Sequence, residues 1–271
     1  MKTNTKTLLV PLLLSFALGA QTISSVEIIA HRGASFDAPE NSLSAMKLAW
    51  EQAADAIELD LWLSKDGRLI VFHDADTKRF EQTARKIPSL TLAEAHKLDV
   101  GAWKDAKFKG ESIPTLSSIL ATVPKGKRAV LEIKCGPEIL PELSREIRNS
   151  GRAPEELAII SFKYETLKPS KEEFPQIEHY YLADYKKDAK TGKFPELDPL
   201  IERAKAAKFE GLNLQHSWPI DAAFVAKVKA AGLKLFVWTV DDPAIAKRLK
   251  DVGVDAITTN RPKFLRDELG R

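Results

Sequence analysis

The feature that most constrains the fold of this chain is a regular alternation of short β-rich runs with amphipathic helical runs. Such alternation implies a parallel sheet whose strands are joined by right-handed helical crossovers. Eight units of this kind in about 250 residues predict an α/β fold, a TIM-like (β/α)8 barrel. A doubly wound open sheet is the alternative, but the sequence lacks the glycine-rich phosphate motifs of nucleotide-binding folds. The predicted strands cover residues 26–30, 56–61, 128–133, 157–161, 178–183, 211–214, 234–239 and 256–258.

Two segments depart from this alternation. Residues 69–73 follow a Lys-Asp-Gly turn and predict a further strand or a hairpin. Residues 76–112 mix charges without a clear strand pattern, and we interpret them as a small inserted subdomain after the second strand region. Residues 21–271 are therefore expected to form a single domain. The predicted helices cover residues 41–53, 138–149, 166–174, 198–208, 222–231 and 243–252, with a short one from residue 262.

The N-terminus has the layout of a secretory signal peptide. Two lysines precede an apolar run at residues 8–18, and small residues follow it. The run is too short to span a bilayer as a mature helix. We therefore expect residues 1–20 to be removed, after Gly19 or Ala20, and the protein to be exported to the periplasm or secreted. An uncleaved N-terminal anchor is the alternative, and no stable membrane insertion is expected elsewhere.

Charge and cysteine content limit the partners. The formal net charge is +3, and without Lys2 and Lys6 of the predicted leader it is +1. A nearly neutral chain favours neither nucleic acid nor an anionic membrane surface as a partner. The single cysteine, Cys135, excludes an intramolecular disulfide, and we expect it to pack near a strand end and not to act as a nucleophile. The oligomeric state is left open.

Three carboxylates are predicted to meet at the carboxyl ends of neighbouring strands, where a barrel places its reactive groups. Glu58 and Asp60 lie two residues apart on one strand and so face the same side, and Glu132 lies near the end of the next. Buried acidic groups need a cationic partner. Carboxylate oxygens favour Ca²⁺ or Mg²⁺ over Zn²⁺, so a divalent cation is the expected cofactor. Salt bridges to Arg32 and Lys134 are the alternative.

Two histidines and a tryptophan are predicted to lie in the same region. His31 ends the first strand and His73 ends the added strand, and histidines that do not bind metal are free for proton transfer. Together with a metal, Arg32 and Lys134, they suit chemistry on phosphate esters. Trp238 ends the seventh predicted strand, where its ring would give the substrate a flat apolar wall. The remaining histidines are expected outside the site: His96, His179 and His216.

Seven short motifs follow one another along nearly the whole chain after the leader. They are H-R-G at 31–33, P-E-N-S at 39–42, I-E-L-D at 57–60, D-G-x-L-I-V-F-H-D at 66–74, I-P-T-L at 113–116, L-E-I-K at 131–134 and V-W-T-V at 237–240. In this order and combination they resemble the motifs of the glycerophosphodiester phosphodiesterase family. The resemblance also accounts for residues 76–112, because the family carries a small insertion there.

The resemblance implies a metal-dependent enzyme on a TIM-like barrel that releases an alcohol and sn-glycerol 3-phosphate from glycerophosphodiesters. It assigns roles to eight residues of this sequence, which agree with those reasoned from the residues where both exist. By their match to the family motifs, the metal ligands are Glu58, Asp60 and Glu132, the acid–base pair is His31 and His73, the phosphate-binding residues are Arg32 and Lys134, and the residue supporting the site is Asn41.

Two segments depart from the family pattern. Residues 257–262 read I-T-T-N-R-P, where I-T-D is frequent, and residues 238–243 read W-T-V-D-D-P, where W-T-V-N is commoner. Both are expected on the substrate side, so we expect them to affect the preference for the alcohol more than the chemistry.

Two other functions stay open. One is a phospholipase D-like enzyme of the same superfamily that acts on lysophospholipids or sphingomyelin, which would need an apolar mouth for an acyl chain. The other is an exported protein that binds phosphodiesters without turnover. The sequence also leaves open which histidine is the acid, and whether water or a substrate hydroxyl attacks. Candidate apolar residues of the mouth are Phe36, Leu61, Trp62, Trp103 and Phe108.

Overall fold

The first strand pairs with two neighbours, and this double pairing closes the sheet into a barrel. In the computed structural model, which describes residues 26–271, β1 (Glu27–Ala30) pairs in parallel with β2 (Ala56–Leu63) and with β9 (Ala256–Thr259). The predicted TIM-like (β/α)8 barrel is confirmed, and the open-sheet alternative is wrong. The remaining parallel strands between β2 and β9 are β4 (Arg128–Ile133), β5 (Leu157–Ser161), β6 (Glu178–Ala183), β7 (Gly211–Gln215) and β8 (Lys234–Trp238).

Helices cover the outside of the barrel. Every predicted helix lies within two residues of its expected bounds. The helix expected at 41–53 begins at Leu43, because Asn41 has a left-handed φ of 58° and the Ser42 hydroxyl caps the Ala45 amide. Among residues 26–271, no helix is both long and apolar enough to cross a bilayer. The helices are α1 (Leu43–Glu51), α2 (Leu92–Ala95), α3 (Leu116–Leu120), α4 (Leu140–Ser150), α5 (Tyr164–Glu173), α6 (Leu197–Ala206), α7 (Ala222–Ala230), α8 (Pro243–Val252) and α9 (Pro262–Glu268).

The further strand and the insertion form one unit at the edge of the barrel. β3 (Leu69–Val71) pairs antiparallel with the end of β2, so the predicted hairpin is confirmed, although the strand ends two residues before His73. Residues 76–112 then contain α2 and two short 3₁₀ turns, Ile87–Ser89 and Ala106–Phe108. They have an apolar cluster of their own, which packs on β3 and includes Ile70, Phe72, Ile87, Leu90, Ala95, Leu98, Val100 and Ile113.

The two faces of each strand serve two different layers. On β2, Ile57, Leu59 and Leu61 face outward and pack in the layer between barrel and helices, whereas Ala56 belongs to the cluster inside the barrel. Leu61 is fully buried in the outer layer, so its expected place at an apolar mouth is wrong. Cys135 also packs in the outer layer, as expected. The predicted signal peptide, residues 1–20, lies outside the described residues, so its removal and the export of the protein stay predictions.

Gly33 joins β1 to the turn that precedes α1, and the turn needs a glycine there. Its φ is +80°, and a Cβ atom at this position would lie 2.6 Å from the Ala45 carbonyl carbon and 2.7 Å from the Ala45 carbonyl oxygen. Gly67, in the turn between β2 and β3, has a similar φ of +70° but no atom within 4 Å of such a Cβ. The two glycines therefore both have a positive φ, but only Gly33 lies too close to another part of the chain for a Cβ atom to fit.

We expect Gly33→Ala to lower the free energy of unfolding by about 3 kcal/mol, because a left-handed backbone costs about 1–2 kcal/mol and overpacking about 1–3 kcal/mol more. Gly67→Ala is the matched control and bears the backbone cost alone. Urea denaturation of both variants measures the difference. Equal losses would contradict the close packing of the H-R-G turn against α1.

Candidate active site

The three predicted acidic residues meet inside the barrel at the carboxyl ends of β2 and β4. The parallel register places Asp60 beside Glu132, and Glu58 lies one inward-facing position below Asp60 on the same strand. Each offers a carboxylate oxygen within 4.8 Å of the others, and all three side chains are buried. Residues 58, 60 and 132 therefore form a compact set of oxygen donors.

Burial affects the three carboxylates differently. For Glu58, burial and the neighbouring Asp60 raise the pKa well above its usual range. For Glu132, burial and Asp60 raise the pKa to about 7. For Asp60, burial alone would raise the pKa, but Lys134 and Arg32 outweigh it and lower the pKa to about 2. Without a further cation, Glu58 and Glu132 therefore keep their protons to a higher pH than ordinary glutamates do.

Two cations partly neutralise the cluster. Lys134 Nζ lies 2.8 Å from a Glu132 oxygen and 3.3 Å from Asp60 Oδ1, and Arg32 Nε lies 3.4 Å from Asp60 Oδ2. The salt bridges predicted as an alternative are therefore present beside the acidic cluster. They leave two polar atoms unsatisfied, since Asp60 Oδ1 and Arg32 Nε are buried without a hydrogen bond. A divalent cation bound by the carboxylates could be coordinated by Asp60 Oδ1, the oxygen that accepts no hydrogen bond.

Asn41 holds Asp60 in place. Its amide nitrogen donates to Asp60 Oδ2 at 2.8 Å, and its amide oxygen accepts from the Asp60 backbone N–H at 3.2 Å. The left-handed backbone at Asn41, which shortens α1, turns the side chain inward; asparagine tolerates this conformation better than most residues. Its backbone N–H also donates to the Arg32 carbonyl oxygen, which ties the two halves of the loop together.

His31 follows β1 and lines the same pocket as the acidic cluster. Its Nδ1 lies 2.7 Å from Oδ1 of Asn260, a residue just beyond β9. Burial and the neighbouring Arg32 lower the pKa of His31 to about 4, so its imidazole is neutral at physiological pH. Asn260 lies in the first of the two segments that depart from the family pattern. The structure thus places one residue of that departure, Asn260, against His31 and another, Thr258, in the lining of the pocket.

His73 also lines the pocket and is oriented by a chain of charged groups. Its Nδ1 lies 2.9 Å from Asp74 Oδ1, and Asp74 Oδ2 accepts from Arg79 Nε at 2.9 Å. Arg79, from the insertion, also donates to Glu40 at 2.6 Å, and Glu40 in turn accepts from Arg32. Sequence reasoning missed Arg79 and Glu40. Residues 40, 73 and 74 lie close enough together to hold a metal, but the Arg79 guanidinium already bridges the two carboxylates.

The remaining wall of the pocket is aromatic and apolar. Trp238 lines it as predicted, with its ring edge-on to Phe162 at a centroid distance of 5.5 Å and its Nε1 donating to the Asn213 carbonyl oxygen. The cavity has a volume of about 170 Å³ and is open at the carboxyl face of the barrel. Phe162 was missed, although its place directly after β5 is a signal of the same kind as for Trp238. Ile160 and Leu182 extend this wall, and the remaining residues that line the pocket are polar or charged: Asp184, Lys186, Asn213 and Thr258.

The other histidines lie outside the pocket, as expected. His96 is exposed in the insertion. His179 is fully buried near the start of β6, where its ring bonds the Ser170 hydroxyl and the Ile177 carbonyl oxygen. His216 follows β7 and does not line the pocket. Of the candidate apolar residues, Phe36 and Trp103 are exposed, with the Lys104 ammonium within 6 Å of both rings.

A barrel mouth that combines buried carboxylates, two cations and two imidazoles defines the class of protein: a TIM-barrel enzyme. A sequence model of the glycerophosphoryl diester phosphodiesterase family matches residues 31–264. The chain is 35% identical over 245 residues to a glycerophosphodiester phosphodiesterase of Caldanaerobacter subterraneus subsp. tengcongensis, which covers 88% of this chain and 95% of the relative. The chain belongs to the glycerophosphoryl diester phosphodiesterase family.

Other relatives agree with this assignment. A glycerophosphodiester phosphodiesterase of Bacillus subtilis is 30% identical over 257 residues, which covers 86% of this chain and 83% of the relative. A solved structure of an Oleispira antarctica phosphodiesterase in complex with the product sn-glycerol-3-phosphate has a TM-score of 0.82 at 29% identity, and the match covers 91% of this chain and 98% of that one. The resemblance stated from the sequence motifs is therefore confirmed.

In metal-free protein, Glu132→Gln and Asp60→Asn are expected to change stability in opposite directions. The pKa of folded Glu132, about 7, exceeds the unfolded value, so its contribution is fully present below the unfolded pKa and is lost as pH rises through 7. Glu132→Gln should then exceed the wild type at about pH 8 by on the order of 2 kcal/mol, and match it at about pH 4.

Asp60 has a folded pKa of about 2, below the unfolded value, so it stabilises the fold above that value and this contribution is lost as pH falls through 2. Asp60→Asn should therefore be less stable than the wild type at the higher pH. Urea denaturation in EDTA measures both variants. A change in the same direction for both would contradict the assigned charges.

Proposed function

We propose that this enzyme hydrolyses glycerophosphodiesters to an alcohol and sn-glycerol 3-phosphate with the aid of a divalent cation and two histidines. The observation that carries the proposal is that two buried carboxylates, two cations and two imidazoles line a single pocket, and that the third carboxylate, Asp60, has an oxygen within 4.8 Å of the other two. The complex of the Oleispira antarctica relative with sn-glycerol-3-phosphate supports the substrate class, since that chain shares the fold and 29% of the aligned sequence.

Glu58, Asp60 and Glu132 would hold the cation. All their donor atoms are oxygens, which suits Ca²⁺ or Mg²⁺, and Asp60 Oδ1 is buried without a hydrogen bond, with only the Lys134 ammonium 3.3 Å away. When bound, the cation supplies positive charge that stabilises the charge developing on the phosphate oxygens. Arg32 and Lys134 add charge of their own, since both guanidinium and ammonium groups line the pocket and can bind phosphate oxygens.

The two histidines exchange protons with the substrate. One imidazole removes a proton from the attacking oxygen, and the other gives a proton to the leaving alkoxide. The two rings need opposite protonation states, so the rate should have a bell-shaped dependence on pH. Trp238 and Phe162 form the apolar wall against which the carbon atoms of the substrate can pack.

A second candidate is the cleavage of lysophospholipids. A groove next to the main pocket shares His73, Lys134 and Phe162 with it, and Trp62 forms part of its lining. Such a groove could take the first carbons of an acyl chain beside the reacting phosphate. This observation supports a lysophospholipid as the substrate of such a phospholipase D-like activity.

We expect metal-stripped protein to be inactive on glycerophosphocholine and to release glycerol 3-phosphate when Ca²⁺ or Mg²⁺ is restored. His31→Ala and His73→Ala should each lower kcat by about 10²–10⁴-fold, because each removes an acid–base group. His96→Ala, a histidine exposed outside the pocket, is the matched control and should keep full activity. A coupled assay for glycerol 3-phosphate measures all of these.

A second assay, for choline released from lysophosphatidylcholine, separates the two candidates. Release of choline from lysophosphatidylcholine, without turnover of glycerophosphocholine, would contradict the proposed substrate and favour the second candidate. Full activity in EDTA, or in either pocket variant, would contradict the proposed chemistry.

A further inference from the structure

We propose that Asn260 and Asp241 are positioning residues that fix His31 as the neutral tautomer with its proton on Nδ1. Nε2 is then the bare ring nitrogen that accepts a proton from the attacking oxygen. The catalytic part of this inference rests on the proposed function; the tautomer itself does not.

The amide oxygen of Asn260 has two neighbours that can donate to it. Oδ1 lies 2.7 Å from His31 Nδ1 and accepts from the Ser35 hydroxyl at 2.9 Å. Both neighbours come from the loop after β1, whereas Asn260 follows β9. The backbone N–H of Phe36 also donates to the backbone carbonyl oxygen of Asn260, and this hydrogen bond keeps the loop against the end of β9.

The amide nitrogen of Asn260 is fixed by a carboxylate. Nδ2 donates to Asp241 Oδ2 at 2.7 Å, and an ionised carboxylate can only accept. Asp241 cannot turn away, because its Oδ1 accepts both the Thr259 hydroxyl and the Asn260 backbone N–H at 2.8 Å. Rotating the Asn260 amide would place its oxygen against the Asp241 carboxylate. The network therefore assigns which amide atom faces His31.

The orientation of the amide decides the tautomer of the imidazole. An amide oxygen can only accept a hydrogen bond, so His31 Nδ1 must be protonated and donate to Asn260 Oδ1. Because His31 lines the pocket and its Nδ1 is engaged, Nε2 is the nitrogen left to meet a substrate. The low pKa of His31 agrees with a neutral ring, but the tautomer follows from the donor and acceptor pattern alone.

His73 has a different partner. Its Nδ1 lies 2.9 Å from the Asp74 carboxylate, whereas the Nδ1 of His31 lies 2.7 Å from an amide oxygen. The groups that contact Nδ1 of the two rings therefore differ in charge, with a neutral amide at His31 and a carboxylate at His73.

Asp241→Asn tests the assignment with a nearly isosteric change. The amide oxygen at position 241 should keep accepting the Thr259 hydroxyl and the Asn260 backbone N–H, so its nitrogen would face Asn260. The Asn260 amide should then rotate and present its own nitrogen to His31 Nδ1, which forces the ring proton onto Nε2. We expect kcat to fall by about 10²–10⁴-fold with little change in KM, as for other wrong-tautomer variants.

The readout is ¹⁵N NMR of the histidine rings in the Mg²⁺-loaded protein, with the His31 signals identified by their loss in His31→Ala. In the wild type we expect the proton on Nδ1, and in Asp241→Asn on Nε2. Asp242→Asn is the matched control: Asp242 caps α8, a role in which asparagine serves equally well, so the tautomer should not change.

The exchanged pair, Asp241→Asn with Asn260→Asp, should restore the Nδ1 proton, because the carboxylate at position 260 accepts from both the ring and the new amide. A proton on Nε2 in the wild type, or an unchanged tautomer in Asp241→Asn, would overturn the proposal. If the tautomer reverses in Asp241→Asn but the wild type lacks phosphodiesterase activity, the proposed function is refuted and the positioning role stays supported.

Discussion

The burial of three carboxylates inside the barrel is the constraint on which the rest of the site depends. The period of two along a strand directs Glu58 and Asp60 inward on β2, and the parallel register brings Glu132 beside them on β4. Negative charge at this depth is unfavourable unless cations or protons offset it. The raised pKa of Glu58 and Glu132 and the ion pairs of Asp60 are two responses to the same constraint.

The loop after β1 and the insertion supply what surrounds the carboxylates. Gly33 lets the chain turn tightly against α1, and this places Arg32 over Asp60. The insertion contributes Arg79, whose guanidinium joins Asp74 behind His73 to Glu40 behind Arg32. Residues 76–112 therefore contribute to the pocket, because Arg79 holds the two carboxylates that contact His73 and Arg32.

Much of the fold and of the site could be predicted because the relevant signals are local in sequence. Alternating strands and helices indicated the barrel, and the spacing of Glu58 and Asp60 indicated a shared face. The start of α1 was misplaced because the left-handed backbone of Asn41 ends a pattern that otherwise looks helical. The contact of Asn260 with His31 joins residues 229 positions apart, and its meaning depends on which way an amide is turned. No spacing rule contains that information.

The central claim is that the protons on the buried carboxylates give way to a divalent cation. Calorimetric titration of the metal-stripped protein with Mg²⁺ or Ca²⁺, in buffers of different ionisation enthalpy, measures the protons released on binding. Because ligands must be deprotonated, we expect release of about one proton or more near pH 6, and less near pH 8, where Glu132 is already ionised. Glu132→Gln should lower the release near pH 6. Binding without proton release at the lower pH, or no binding at all, would contradict the claim.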